Sequence, residues 1–256
     1  MSTQLAAQLY TLREFTKTPA DIARTLSRVK KIGYDAVQVS GFGPIDAKEL
    51  AKILDSEGLI CCATHTPPDR MKNEFEKVIE AHHLWKCKYT AIGGLFLESY
   101  TAQTWIDFAK GYNELAARFK GAGGPEIGYH NHGHEFASFN GKTGMQIMME
   151  NFTPDIWMEI DTYWVQYGGA DPIEWIKKCK GRLPCIHLKD MTMKPTREGI
   201  QLMAEIGEGN MNWPGILGAC KEIGVQWYII EQDECQRDPF ESLTISLRNL
   251  RAMGMR

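Results

Sequence analysis

Short β-type runs alternate along the chain with stretches whose apolar residues recur at helical spacing. Eight runs read as strands: QLAAQLYTL from Gln4, AVQVSG from Ala36, ICCATHT from Ile60, TAIGGL from Thr90, EIGYHNH from Glu126, WMEID from Trp157, PCIHLKD from Pro184 and WYIIEQD from Trp227. The helices between them carry local start and stop signals. Thr18-Pro19 is an N-cap followed by proline at the first helical position, and Gly33 ends that helix. Asp46 and Glu49 have capping-box spacing before LAKILDSE, with Gly58 where a C′ residue belongs. Asp171-Pro172 with Glu174 repeats the pattern before EWIKKCK, and Asn212 precedes WPGILGACKEIG in the same way.

Successive strand starts lie about 32 residues apart, the length of chain that a strand, a helix and two loops consume; eight such units make a (β/α)8 barrel of about 250 residues. A doubly wound open sheet also alternates strand and helix. It normally carries a glycine-rich phosphate loop after its first strand, where this chain has YTLREFTKTP. No linker, low-complexity tract or composition break divides the sequence. The expectation is an α/β protein, a single TIM-barrel domain over residues 1–256.

The active site of such a barrel is built at the C-terminal ends of its strands, and residues two apart on a strand share a face. That rule pairs Gln8 with Tyr10, His130 with His132, Glu159 with Asp161, His187 with Lys189 and Glu231 with Asp233, and it ends strand 3 at His65. His82 and His83, in the helical EAHHLWK, read instead as hydrogen-bonded core or rim residues. His130, Asp161, His187 and Glu231 come from four successive strands, each near its C-terminal end, and converge on the barrel axis. Burying two carboxylates and two imidazoles without compensation costs several kcal/mol per ion. A divalent cation removes that cost. Mixed N/O ligands suit manganese, zinc, cobalt, iron or nickel better than calcium, with magnesium kept open, and a free coordination position would admit a substrate oxygen.

Composition narrows the partners. With 29 basic and 32 acidic residues the net charge is -3, lacking the basic excess that binding a phosphate backbone demands, so nucleic acid is not expected. No run approaches the roughly 20 apolar residues of a membrane span, and MSTQLAAQLYTLRE has no leader-like pattern. Cys61, Cys62, Cys87, Cys179, Cys185, Cys220 and Cys235 are odd in number and never spaced C-x-x-C; they read as small buried hydrophobes in a reducing cytoplasm.

The series AAQLYTLR, YHNHGHEF, EIDTYWVQYGGADP, HLKDM, IGEGNMNWPGIL and IIEQDE resembles the xylose-isomerase-like sugar isomerase and epimerase superfamily, which includes inosose dehydratase and the apurinic endonucleases. The resemblance covers essentially the whole chain. It implies a (β/α)8 barrel with one divalent metal held by a Glu on strand 5, an Asp on strand 6, a His on strand 7 and a Glu on strand 8. Asp161, His187 and Glu231 match three of these positions. The fourth departs from the pattern: HNHG stands where the sugar epimerases carry a glutamate, so His130 takes that place and Glu135 is the nearest carboxylate. In the sugar 3-epimerases two glutamates work from opposite sides of the substrate. Here only Glu231 is retained, and a second acid/base group would have to be Glu135, His130 or His132.

The chemistry implied is proton abstraction next to a carbonyl of a small sugar, with Glu231 as base and Glu135 as the second catalytic candidate. Reprotonation at the neighbouring carbon gives an isomerase, and on the opposite face an epimerase. Loss of a β-leaving group makes the protein a lyase, acting on an inosose or a 3-keto-glycoside. A non-catalytic sugar-binding barrel is the remaining reading. His65, Gln8, His132 and Lys189 are candidates to bind sugar hydroxyls. Lys189 could instead neutralise an anionic oxygen or form a salt bridge with Asp190 or Glu159. Trp164, with Tyr163, could wall the sugar ring. The segment from Met191 to Met211, long for a βα connection, reads as a lid or as an oligomer contact.

Overall fold

The eight runs become eight parallel strands in the computed structural model, which describes residues 4–255. The outermost residues of the expected 1–256 domain, including the first three of the N-terminal segment, lie outside the described residues. The strands are β1 (Gln4–Gln8), β2 (Ala36–Val39), β3 (Ile60–His65), β4 (Tyr89–Ile92), β5 (Glu126–His130), β6 (Trp157–Asp161), β7 (Cys185–Leu188) and β8 (Trp227–Ile230). They follow one another around a closed barrel, with β1 pairing in parallel to both β2 and β8. The fold is therefore a (β/α)8 TIM barrel.

The N-cap residues cap as read, but the boxes expected at Asp46–Glu49 and Asp171–Glu174 form only by their N-cap half. Thr18 and Asp21 exchange a full capping box at the start of α1 (Pro19–Ile32), and Gly33 closes it in the left-handed conformation at φ +113°. Asp46 accepts the amides of Lys48 and Glu49 at the start of α2 (Ala47–Glu57). Two short helices, α3 (Pro68–Asn73) and α4 (Phe75–Leu84), follow β3, and α5 (Ala102–Gly121) follows β4. The remaining helices are α6 (Gly144–Asn151), α7 (Thr162–Tyr167), α8 (Pro172–Lys178), α9 (Trp213–Ile223) and α10 (Pro239–Ala252).

Alternation along the strands separates two interiors. Outward residues such as Leu5, Val37, Ile127, Met158, Ile186 and Tyr228 join the helices in the main apolar core. Inward residues Ala6, Ala36, Cys62, Ala91, Trp157, Cys185 and Ile229 fill the lower barrel. Trp157 takes most of that space. A Cβ at Gly128 would meet its indole at 2.2 Å, so only glycine fits on the neighbouring strand. One layer higher the inward positions turn polar, with Gln8, Gln38, Glu159 and His187 all fully buried. Six cysteines are buried and all seven are free thiols, in keeping with the packing role expected of them. Among the described residues no helix is long and apolar enough to cross a membrane.

The segment after β7 is a hairpin, Asp190–Met193 against Gln201–Ala204. Its base is fastened by one buried side chain. Asp190 Oδ1 accepts the amides of Met191 and Met211, and Oδ2 those of Gly207 and Gly209 and the indole N–H of Trp213. The expected lid is thus a pinned structure, with Met191 and Met203 packed on Tyr163.

Candidate active site

Asp161 ends β6, and its two oxygens have different tasks. Oδ1 caps α7 by accepting the amide of Trp164 at 3.0 Å, while Oδ2 faces the barrel axis. Asn131 fixes the backbone at the same point, taking the amide of Asp161 at 3.0 Å. His130 and His187 approach that inner oxygen from the flanking strands. His130 Nε2 lies 3.1 Å from Asp161 Oδ2, with its Nδ1 toward the carbonyl of Gly93. His187 Nδ1 lies 3.7 Å from the same oxygen and 2.8 Å from Glu231 Oε2. The ligand-type atoms of His130, Asp161, His187 and Glu231 all fall within 4.8 Å of one another.

His187 Nδ1 and Glu231 Oε2, 2.8 Å apart, are not aligned for a hydrogen bond, and Glu231 Oε2 is ion-paired instead with the ammonium of Lys189 at 2.8 Å. His130, Asp161, His187 and Glu231 together offer the mixed N/O donor set that a divalent ion takes.

Lys189, the inward residue after β7, places its ammonium 3.0 Å from Asp161, 2.8 Å from Glu231 and 2.9 Å from Asp233. Neither ion pair foreseen for it forms, because Asp190 turns into the hairpin base and Glu159 turns toward β2 and β3. Burial opposes its charge, and the three carboxylates overcome that, holding it protonated. Burial likewise pushes Asp161 up, but Lys189, His130 and His187 hold it well below the carboxylate range. Glu231 is depressed in the same way by Lys189 and His187. Asp233 is raised, since burial and the nearby Glu231 outweigh Lys189. His132 is neutral: burial, then His130 and Lys189, lower it to about 2.

A cavity of about 950 Å³ opens above this cluster. His65, His130, His132, Trp164, Lys189, Glu231 and Asp233 line it, with Tyr10 and Phe96 at its walls. His132 is tilted against Trp164 and edge-on to Phe96, at ring distances of 5.2 and 4.9 Å, and both His132 Nδ1 and Trp164 Nε1 are buried without a partner.

Two expected residues belong to neither the cluster nor the cavity lining. Glu135 is buried away from the cluster, accepting the hydroxyl of Tyr129 at 2.7 Å and the amide of His132 at 2.9 Å. Tyr129 is an outward residue of β5, so the carboxylate belongs to the barrel–helix layer, and the acid/base role expected of it finds no geometry. Gln8 is sealed below the cavity, bonded to Gln38 at 2.7 Å rather than exposed to a sugar. Sequence reasoning missed Gln38, Asp233 as a partner of Lys189, and the Asp190 clamp. The signal for Gln38 was a lone amide in the apolar strand AVQV. His82 has the core role expected, bonding Thr64 Oγ1 at 2.8 Å and the carbonyl of Val78 at 2.7 Å.

The barrel and this constellation at its C-terminal end define a class. The chain belongs to the xylose isomerase-like TIM barrel family, whose model matches residues 26–253. Among solved structures it is similar to a sugar phosphate isomerase/epimerase from Parabacteroides distasonis, 25% identical, covering 98% of this chain and 94% of that one with TM-score 0.80. It shares its fold with L-ribulose 3-epimerase (18% identical, 99% and 94% covered, TM-score 0.74). The same holds for the IOLI protein with a bound zinc atom (17% identical, 98% and 97% covered, TM-score 0.72). No curated protein matches the chain significantly.

Proposed function

We propose that the protein is a divalent-metal-dependent sugar or keto-sugar isomerase or epimerase that abstracts a proton next to a carbonyl. The observation that carries this is the convergence of His130, Asp161, His187 and Glu231 from four adjacent strands, their ligand-type atoms all within 4.8 Å of one another. The N/O donor set fits a divalent ion such as zinc, manganese, cobalt or magnesium, and these four residues would hold it. When bound, such an ion supplies Lewis-acid polarisation of a carbonyl and its neighbouring hydroxyl. The family and the neighbour described as a sugar phosphate isomerase/epimerase support a sugar as substrate.

The chain's own residues divide the remaining work. Glu231, kept ionised by Lys189 and His187, opens on the cavity and takes the proton from carbon. Lys189 offers a fixed positive charge to oxygen as negative charge develops there. His132 and Trp164 line the cavity, and their rings cover one face of the sugar.

A lyase is the second reading, and one observation favours it. With Glu135 withdrawn and His130 in the strand-5 position, Glu231 is the one carboxylate of the four-residue cluster that lines the cavity. One base from the cluster serves elimination as well as isomerisation, and Asp233 is a further carboxyl at the cavity. The test is proton exchange in D2O, read by NMR, for the zinc- or manganese-loaded protein with ketoses, inososes and 3-keto-glycosides. Deuterium at one carbon of a rearranged sugar supports the isomerase, and release of water or an aglycone moves the protein to the lyases. In either case Glu231→Gln should slow the reaction by about 10²–10⁴-fold. Bound metal with no exchange on any substrate would count against both.

A further inference from the structure

Gln8, Gln38, Glu159 and His187 occupy the inward positions of β1, β2, β6 and β7 directly under the candidate metal site, where TIM barrels usually carry bulky apolar side chains. A fully buried polar layer is tolerated only if its donors and acceptors match. The match can be followed from one end. Gln8 Oε1 accepts the backbone N–H of Tyr10 at 3.2 Å, so its amide nitrogen donates to Gln38 Oε1 at 2.7 Å. That places the amide nitrogen of Gln38 against Glu159 Oε1, to which it donates at 2.8 Å. The other oxygen of Glu159 is engaged by His65 Nε2 at 2.6 Å. Gln38 Oε1 also lies 2.6 Å from His187 Nε2, with Glu159 Oε1 3.3 Å from the same nitrogen. An amide oxygen only accepts, so the proton of that contact sits on His187 Nε2.

We propose that Gln38, oriented by Gln8 and Glu159, is a positioning residue that fixes a ring proton of His187 on Nε2. It thereby leaves Nδ1, the nitrogen facing Asp161 and Glu231, as the one that would ligate the ion. The inference rests on the metal reading above and deepens it. Either nitrogen of a free imidazole can carry the proton, and a ring protonated on Nδ1 cannot ligate from that side; the partner of the other nitrogen decides which form is present. The same bond has a second consequence. His65, Glu159 and His187 form another trio with metal-ligand spacing, but its His187 nitrogen is the protonated one, so the chain takes one ion rather than two.

The test uses zinc as the probe. In the zinc-loaded wild-type protein, long-range ¹H–¹⁵N NMR should find the His187 proton on Nε2 and none on Nδ1, with one zinc per chain. Gln38→Leu should raise the zinc dissociation constant, measured by chelator competition, about 10–100-fold. Glu159→Gln, whose side-chain oxygen can still receive the Gln38 amide, should raise it less. A proton on Nδ1, a second zinc held by the His65 trio, or a folded Gln38→Leu variant that binds zinc as tightly as wild type would overturn the proposal. Should Gln38→Leu fail to fold, Gln38→Asn, whose shorter side chain draws the amide oxygen back from His187, takes its place with the same rise expected. Zinc that does not bind the wild type overturns the metal reading and this inference with it, whereas equal binding by both proteins overturns this one only.

Discussion

Glu135 and Glu231 are both buried carboxylates near the C-terminal end of the barrel, and their hydrogen bonds separate their roles. Glu231 is ion-paired with Lys189 and lines the cavity, while both oxygens of Glu135 are occupied by Tyr129 and the His132 amide. Burial raises the Glu135 carboxyl, against the lowering effects of His134 and Tyr129. Glu135→Gln would keep one acceptor and set an amide N–H against a donor. The variant should lose about 1–3 kcal/mol of stability in urea unfolding while binding zinc with unchanged stoichiometry. Loss of zinc would instead place Glu135 among the ligands.

His82 joins α4 to β3 through Thr64, which also bonds Thr90 on β4 at 2.7 Å. Burial lowers the imidazole to about 4 from an ordinary value of 6.5. Between these values the unfolded chain binds a proton that the folded chain refuses. His82 therefore leaves stability untouched above pH 6.5 and erodes it as pH falls toward 4, by up to about 1.4 kcal/mol per pH unit. Urea unfolding from pH 8 to pH 4 should show this slope in the wild type and a shallower one in His82→Gln. Equal slopes would mean that the α4–β3 contact opens to water before the imidazole titrates.

A divalent ion held by four residues would tie β5, β6, β7 and β8 together in the folded state only. Zinc at about 100 times its dissociation constant should add about 2.7 kcal/mol, raising the melting temperature by roughly 5–10 °C over the EDTA-treated protein. His187→Ala should abolish the rise. The strands behind this arrangement were legible because period-two alternation and helix caps are local signals: seven of the eight starts match within a residue and the eighth, at Gln4, opens the described chain. Asp161, His187 and Glu231 were legible for the same reason, since a polar residue at the end of an apolar strand stands out. What Glu135 and Gln8 touch was not, because each role depends on a partner distant in space: an outward Tyr129, and a Gln38 some 30 positions along the chain. The Asp190 clamp depends on a loop that returns to its own start. With Met191 and Met211 gripped by one oxygen and Gly207, Gly209 and Trp213 by the other, the turn between Met193 and Gln201 is isolated from His187. Sequence can be grafted there at the cost of loop entropy alone, about 0.6 kcal/mol for each doubling of length, making it a natural port for diversifying this barrel without disturbing its centre.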